Sequence, residues 1–402
     1  MHRLTIVARA LPGALAMLLW LAPGAPAQGV PAASPAPDER SPRVEGVRAR
    51  LQAVLDSVRG AAGFPGATLA VVLAQGEVVA VASGLSDTSR RVPMRTSDKL
   101  LQGSVGKTYV AAVALQLVAE GKLDLDAPIA RYLAQEPWFA RLPNARQITV
   151  RQLMNHTSGL VRYEFQPAAA AALRAAPYRE WTPADRLALI FDSAAPFPAG
   201  EGWEYSDTNY IVLGMIIERL TSRPYYAELR RRILEPLALR GTIPSDGPEL
   251  PGLVVGYAGP NNELGGYDAS IEGGRLRINP QFEWTGGGIA STTSDLARWA
   301  KLLYEGKAFD AALLPVMLEG VPAKLGPNTR YGLGVILRDT RSGPAYGHSG
   351  FFPGYATEML YLPRHRIAAA LQVNVTDPYP RGMVAVLLRA IEAAASVSSQ
   401  DR

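Results

Sequence analysis

Residues 103–121 read GSVGKTYVAAVALQLVAEG. Val110, Val113, Ala114 and Leu117 recur at helical spacing, which predicts a helix from about Ser104 to Glu120 that Gly121 stops. Ser104 then stands at the helix N-terminus, where free N–H groups and the dipole favour negative charge. Lys107 follows three residues on, on the same face. A serine hydroxyl is a poor nucleophile until a neighbouring base takes its proton. A lysine buried enough to populate its neutral amine is such a base. Gly103 and Gly106 leave room for a ligand to approach the backbone. Alone, the spacing is also that of a serine N-cap followed by an exposed lysine. A phosphate-binding loop ending in Gly106-Lys107-Thr108 is excluded, because it needs glycine where Leu101 stands.

Working outward, the chain has 402 residues, 48% hydrophobic and 19% charged, the composition of an ordinary globular protein. Its N-terminus carries an address. His2, Arg3 and Arg9 precede the apolar stretch Ala10–Ala22, and Ala25-Pro26-Ala27 fits the small-x-small cleavage rule. Thirteen apolar residues are too few to cross a bilayer of ~30 Å. Residues 1–27 are therefore expected to be a signal peptide, and the protein to be exported, periplasmic or secreted, with no stable membrane anchor after cleavage. Residues 28–43, rich in Pro, Ala and Ser, are expected to be a linker.

There is no cysteine, which excludes disulfides, a cysteine nucleophile, a thiolate metal site and lipidation through cysteine. The four histidines, His2, His156, His348 and His365, form no H-x-x-x-H pair, so no metal is expected. No cofactor is expected either. The formal charge of +5 is scattered apart from Arg230, Arg231 and Arg232, which read as a solvated helix face, so no nucleic-acid partner is expected.

Val47, Leu51, Val54, Leu55 and Val58 have helical spacing within 44–58. Ala67–Ala74 and Glu77–Ala82, about the turn Gln75-Gly76, predict a β-hairpin. Residues 123–288 are mostly helical and loop-like. Asp295–Tyr304 is helical again. Strand-like runs follow at Leu333–Leu337, Glu358–Tyr361 and Ile367–Val373, then a helix at Met383–Ala395. Strands near both ends and helices between them predict an α/β (α+β) fold. Its antiparallel sheet is built from both ends of the chain and flanked by helices. The expected domain plan is one catalytic unit over 44–395, with sheet regions at about 44–122 and 289–395 and a helical insert at about 123–288.

Two more segments complete an ordered set with Ser104-x-x-Lys107: Tyr205-Ser206-Asp207 and His348-Ser349-Gly350. With these three elements the chain resembles the serine β-lactamase and penicillin-binding superfamily. The likeness is to the branch of class C β-lactamases, D-alanyl-D-alanine carboxypeptidases and related esterases. It runs from about Leu51 to Leu388. The phrases VALQLVAEGKLDLDAPIARYL (113–133), RQLMNHTSGL (151–160) and GGGIASTTSDLARW (286–299) support it.

The resemblance implies a serine hydrolase that forms an acyl-enzyme on Ser104, with D-Ala-D-Ala-type cell-wall peptides, β-lactams or short esters as small-molecule substrates. Lys107 would accept the proton, shared with Tyr205, whose phenol an adjacent ammonium would lower. Backbone N–H groups of Ser104 and Phe351 would form the oxyanion hole. Asp207, His348, Ser349 and Gly350 would bind substrate. The family often has Asn where Asp207 stands, and an ionised Asp only accepts hydrogen bonds. Paired with Lys107, Asp207 would hold it charged and shift base work onto Tyr205. His348 stands where many β-lactamases have lysine, so carboxylate binding would be weaker and pH-sensitive. Both departures favour a peptidase or esterase over a β-lactamase. The competing reading is a catalytically silent, penicillin-binding-like protein of the same fold.

The other candidates read structurally. His156 belongs to a helix-ending loop, His365 to an exposed turn, and Asp295 to a helix cap. Trp284 and Tyr355 either border the pocket or pack the core.

Overall fold

A computed structural model describes residues 41–259, 262 and 267–400, without the side chains of 398–400. The expected signal peptide and nearly all of the expected linker lie outside the described residues.

The first helix is Pro42–Ala62. Ser41 caps it by accepting from the Val44 N–H at 3.3 Å, Pro42 fits its first turn, and Gly63 ends it with φ 70°. It buries Val44, Val47, Leu51 and Leu55, one stripe at helical spacing. It starts before the expected residue 44, so Pro42 and Arg43 belong to the helix and not to a linker.

Nine strands form the main sheet, each antiparallel to its neighbours. Their order is Val92–Pro93, Val78–Asp87, Gly66–Val72, Ile367–Val373, Tyr355–Leu362, Gly343–Phe352, Ile336–Thr340, Thr329–Tyr331 and Val321–Pro322. The two ends of the chain meet in its middle, where Ala67 pairs with Val373 and Val72 with Ala368. The central strands GATLAVV and IAAALQV are apolar almost throughout because both of their faces are buried. Helices Pro42–Ala62 and Met383–Gln400 pack against the sheet and each other, and Thr293–Tyr304 packs on the same central strands. Each fully buried Leu or Ile there is worth about 1.5–3 kcal/mol.

The expected strand Leu333–Leu337 is instead a turn and the start of a strand at Ile336. Gly334 adopts φ 77° and donates its N–H to the Met154 carbonyl, which takes 332–335 out of the ladder.

The expected helix start at Ser104 is a 3₁₀ turn, Gly103–Gly106, and the α-helix runs from Lys107 to Ala119. In a 3₁₀ turn residues i and i+3 eclipse, which lines Ser104 up with Lys107. A small sheet of Lys99–Leu101, Ile289–Thr292 and Thr242–Pro244 brings Gly286-Gly287-Gly288 against this turn. A Cβ on Gly106 would lie 2.8 Å from the Gly287 carbonyl, and one on Gly103 would lie 2.5 Å from the Phe351 nitrogen. The space these two glycines leave is therefore filled by protein backbone on both sides, not kept for a ligand. Gly350 completes the clamp, since a Cβ there would lie 1.8 Å from the Gln102 carbonyl oxygen.

Gly350→Ala should therefore push the strand Gly343–Phe352 off the Ser104 turn and cost about 1–3 kcal/mol, the usual penalty of overpacking. Urea unfolding measures it. An unchanged midpoint would mean that strand and turn are not pressed together.

Candidate active site

Ser104 opens into a cavity of about 460 Å³ walled in part by Tyr163, Phe282, Phe351 and Phe352. Behind it Lys107 is fully buried. Its Nζ lies 3.1 Å from Ser104 Oγ, donates to the Gly286 carbonyl at 2.5 Å, and forms an ion pair of 2.6 Å with Asp207. It also lies 4.9 Å from the centre of the Tyr205 ring. The structure thus brings Ser104, Lys107, Tyr205 and Asp207 together from two distant stretches of chain.

Burial alone would lower the Lys107 pKa. The charge of Asp207, and then Tyr205, outweighs it, so the ammonium is held above its ordinary value. For Tyr205 burial is also the largest influence and raises the phenol. Lys107 pulls it down and Asp207 pushes it up, leaving the phenol above 10. The sequence-based expectation that the ammonium would lower Tyr205 names a real influence, but burial exceeds it. The resting site holds an ammonium and a neutral phenol.

The loop carrying Tyr205 is fixed by groups whose part the sequence did not disclose. The His156 ring packs 4.2 Å from that of Tyr205. Its Nδ1 accepts from the Asn209 amide at 2.9 Å and from the Ser206 N–H at 3.3 Å. Ser206 and Thr208 hydroxyls both donate to the Val161 carbonyl. The signal available was the run NHTSG, legible only as a helix-ending loop.

The His-Ser-Gly segment differs from expectation. His348 is 1% exposed. Its Nδ1 donates to the Ser349 carbonyl at 2.6 Å, and its Nε2 accepts from the Tyr331 hydroxyl at 2.8 Å. Burial and then Lys107 push its pKa down to about 3. A neutral ring with both nitrogens engaged has no donor left for a substrate carboxylate. Ser349, on the opposite face of the strand, donates to Glu358 at 2.7 Å and accepts from Arg338 at 2.8 Å. Gly350 packs against Gln102. Of the four residues expected to bind substrate, Asp207 lines the cavity and these three do not.

Phe351 is half exposed at the cavity edge. Trp284 and Tyr355 belong to the core: Trp284 meets the Tyr225 ring edge-on, and the Tyr355 hydroxyl donates to the Val254 carbonyl. His365 is half-buried in its turn. Among the described residues no group of His, Asp and Glu is placed to hold a metal, and no helix is long and apolar enough to cross a membrane.

A buried S-x-x-K pair at the start of a helix, faced by the inner strand Gly343–Phe352, is a serine-hydrolase type of site. The chain belongs to the Beta-lactamase family, whose profile it matches over residues 48–394. It is 29% identical to penicillin-binding protein 4 of Amycolatopsis lactamdurans, over 81% of this chain and 85% of that protein. It is 33% identical to esterase EstB of Burkholderia gladioli over 48% of this chain and 50% of that one. Against the D-aminopeptidase of Brucella anthropi it is 26% identical over 84% of this chain, spanning 60% of that protein's length. Among solved structures, a D-stereospecific amidohydrolase from a Streptomyces species superposes with TM-score 0.71 and 29% identity, covering 82% of this chain and 94% of that one. The D-amino acid amidase of Ochrobactrum anthropi gives TM-score 0.74 at 26% identity, covering 88% and 99%. The protein is accordingly an enzyme of a serine-hydrolase family that acts on amides and esters.

His348 is neutral when folded down to about pH 3, whereas an unfolded histidine protonates near ~6.5. The unfolded state therefore binds the extra proton, and stability falls as pH drops below about 6.5. Between pH 7.5 and 5.5 His348 should remove about 1.4 kcal/mol. His156, also held well below its ordinary value by burial, acts in the same direction. His348→Gln should lose about that much less than the parent over this interval in urea unfolding. Equal losses would show that His348 protonates normally.

Proposed function

We propose that the protein is an exported hydrolase that forms an acyl-enzyme on Ser104 from amide or ester substrates. The observation that carries this is the 3.1 Å contact between fully buried Lys107 and the one serine hydroxyl bordering the cavity. Export rests on the apolar stretch Ala10–Ala22 and the Ala25-Pro26-Ala27 site. The amidase and aminopeptidase among its relatives favour an amide, and the esterase an ester.

Ser104 Oγ adds to the substrate carbonyl carbon, and its proton passes to Tyr205 or Lys107. The carbonyl electron pair moves onto oxygen, received by the N–H groups of Ser104 and Phe351; one such donor is typically worth about 2.7–4 kcal/mol. Collapse breaks the bond to the amine or alcohol, which leaves with the proton. Water then repeats the sequence and frees Ser104. Since Lys107 rests as ammonium and Tyr205 as phenol, the active form carries one proton fewer than the resting one. Lys107 stays beside Oγ throughout and stabilises the alkoxide as it forms.

A fluorophosphonate or a penicillin should modify Ser104, as peptide mapping reads it; an adduct on another serine would overturn Ser104 as nucleophile, and no adduct at all would favour a silent binding protein. Lys107→Ala and Tyr205→Phe should each lower turnover by about 10²–10⁴, with far less than additive loss in the double variant. A Tyr205→Phe enzyme of near-parental rate would make the tyrosine structural.

Because the base is protonated at rest, kcat/KM for a neutral ester should climb with pH throughout the range from 7 to 10. Asp207→Asn removes the negative charge that raises both Lys107 and Tyr205, so the rising limb should move to lower pH. A parental profile flat from pH 7 to 10 would contradict the resting protonation state.

A further inference from the structure

Tyr205 belongs to no helix or strand; it stands three residues before helix Thr208–Thr221. Its hydroxyl has no hydrogen-bond partner among the described residues, so the phenol is placed by whatever holds its ring and its backbone. Hydrogen bonds tie 200–206 to the loop 155–157. Gly200 N–H donates to the Thr157 carbonyl at 2.8 Å and Trp203 Nε1 to the Asn155 carbonyl at 2.9 Å. Glu204 N–H donates to the His156 carbonyl at 3.2 Å, and Ser206 N–H to His156 Nδ1 at 3.3 Å. These last two bracket Tyr205, and both end on His156. The imidazole itself lies against the phenol, with ring centres 4.2 Å apart. His156 is fully buried and adopts φ 65°, a left-handed backbone uncommon outside glycine.

Nδ1 faces two donors, the Ser206 N–H and the Asn209 amide at 2.9 Å. A backbone N–H cannot accept, so Nδ1 must, and the one proton of the neutral ring sits on Nε2. The orientation of Asn209 agrees with this. Its Oδ1 accepts from the Ser158 hydroxyl at 2.5 Å, and that hydroxyl in turn accepts from the Leu160 N–H at 3.0 Å. Nε2 has no hydrogen-bond partner among the described residues, so Nδ1 carries the hydrogen bonds of the ring. Ser206 and Asn209 stand on either side of Asp207, so one nitrogen steadies both the phenol and the carboxylate that pairs with Lys107. His156 is not among the residues that line the cavity. A proton relay from Tyr205 through His156 is excluded too, because Nδ1 is occupied and Nε2 already carries its proton.

We propose that His156 is a positioning residue for Tyr205. The Nδ1 lone pair and the ring face together hold the phenol where it can exchange a proton with Ser104, while His156 neither touches substrate nor moves a proton itself. The effect on turnover rests on the hydrolase reading above; the tautomer does not. His156 and His348 then carry opposite tautomers, since His348 donates from Nδ1 and accepts at Nε2.

Kinetics and NMR test it together. His156→Leu fills much of the space but removes the acceptor. It should lower kcat for a neutral 4-nitrophenyl ester about a hundredfold, the usual cost of a small misplacement, with KM little changed. His156→Asn restores an acceptor and suits the left-handed backbone, so it should recover most of that loss. In the Tyr205→Phe background His156→Leu should cost little more, because a residue that acts through Tyr205 has nothing left to position. Thermal transitions verify folding of each variant. On the parent, ¹⁵N-histidine NMR, assigned through His2→Gln, His348→Gln and His365→Gln, should show His156 protonated on Nε2 alone and His348 on Nδ1 alone. Parental kcat in His156→Leu, equal fold losses with and without Tyr205, or an Nδ1-protonated His156 overturns the proposal. A parent that neither turns over the ester nor is acylated on Ser104 removes the hydrolase reading instead, whatever the tautomer.

Discussion

Lys107 is a cation with no contact to water, and the site depends on that constraint. A buried charge persists only where partners replace its hydration, and removing one partner of a buried pair typically costs about 3–5 kcal/mol. The partners of Lys107 come from separate segments: Ser104 from the 3₁₀ turn, Asp207 from the loop before helix Thr208–Thr221, and the Gly286 carbonyl from the turn before strand Ile289–Thr292. Meeting its needs therefore fixes three pieces of backbone relative to one another. Asp207 sets the protonation state as well as the position, so the same contact that secures the fold decides how much base the resting enzyme has.

Around this cation the backbone is held by absence of side chains. Gly103 and Gly350 let the strand Gly343–Phe352 close on the Ser104 turn, and Gly106 lets Gly287 close from the other side. That approach explains why the sheet is built from both ends of the chain. The nucleophile follows the N-terminal strands, while the strand that confronts it, Gly343–Phe352, belongs to the C-terminal half. His348 belongs to the same assembly: buried and neutral, it braces Tyr331 and its own strand. A lysine there would bring a second charge beside Lys107.

Much of this was legible in the sequence. Apolar, β-branched runs located the hairpin at Ala67–Ala74 and Glu77–Ala82 and the strand Ile367–Val373, and S-x-x-K placed Ser104 and Lys107 one turn apart. The pairing of Asp207 with Lys107 followed only from the resemblance, which set the two elements in one site. What was not legible depended on neighbours distant in sequence. The helix Lys107–Ala119 is buried nearly all round, which the recurrence of Val110, Val113, Ala114 and Leu117 did not disclose. Gly334 looked like part of a strand because its positive φ is a tertiary requirement. His348 and Ser349 read as substrate ligands because residue type discloses neither burial nor the Tyr331, Arg338 and Glu358 side chains that occupy them.

The central claim is that Lys107 is an ammonium in the resting enzyme, held so by Asp207. The chain has only six lysines, so ¹⁵N-lysine labelling with Nζ-detected NMR, assigned through Lys107→Arg, can follow this one group through a pH titration. The account predicts that Lys107 stays protonated beyond pH 10.5, and that Asp207→Asn brings its titration below the parental value. A Lys107 that loses its proton near neutrality in the parent enzyme would contradict it.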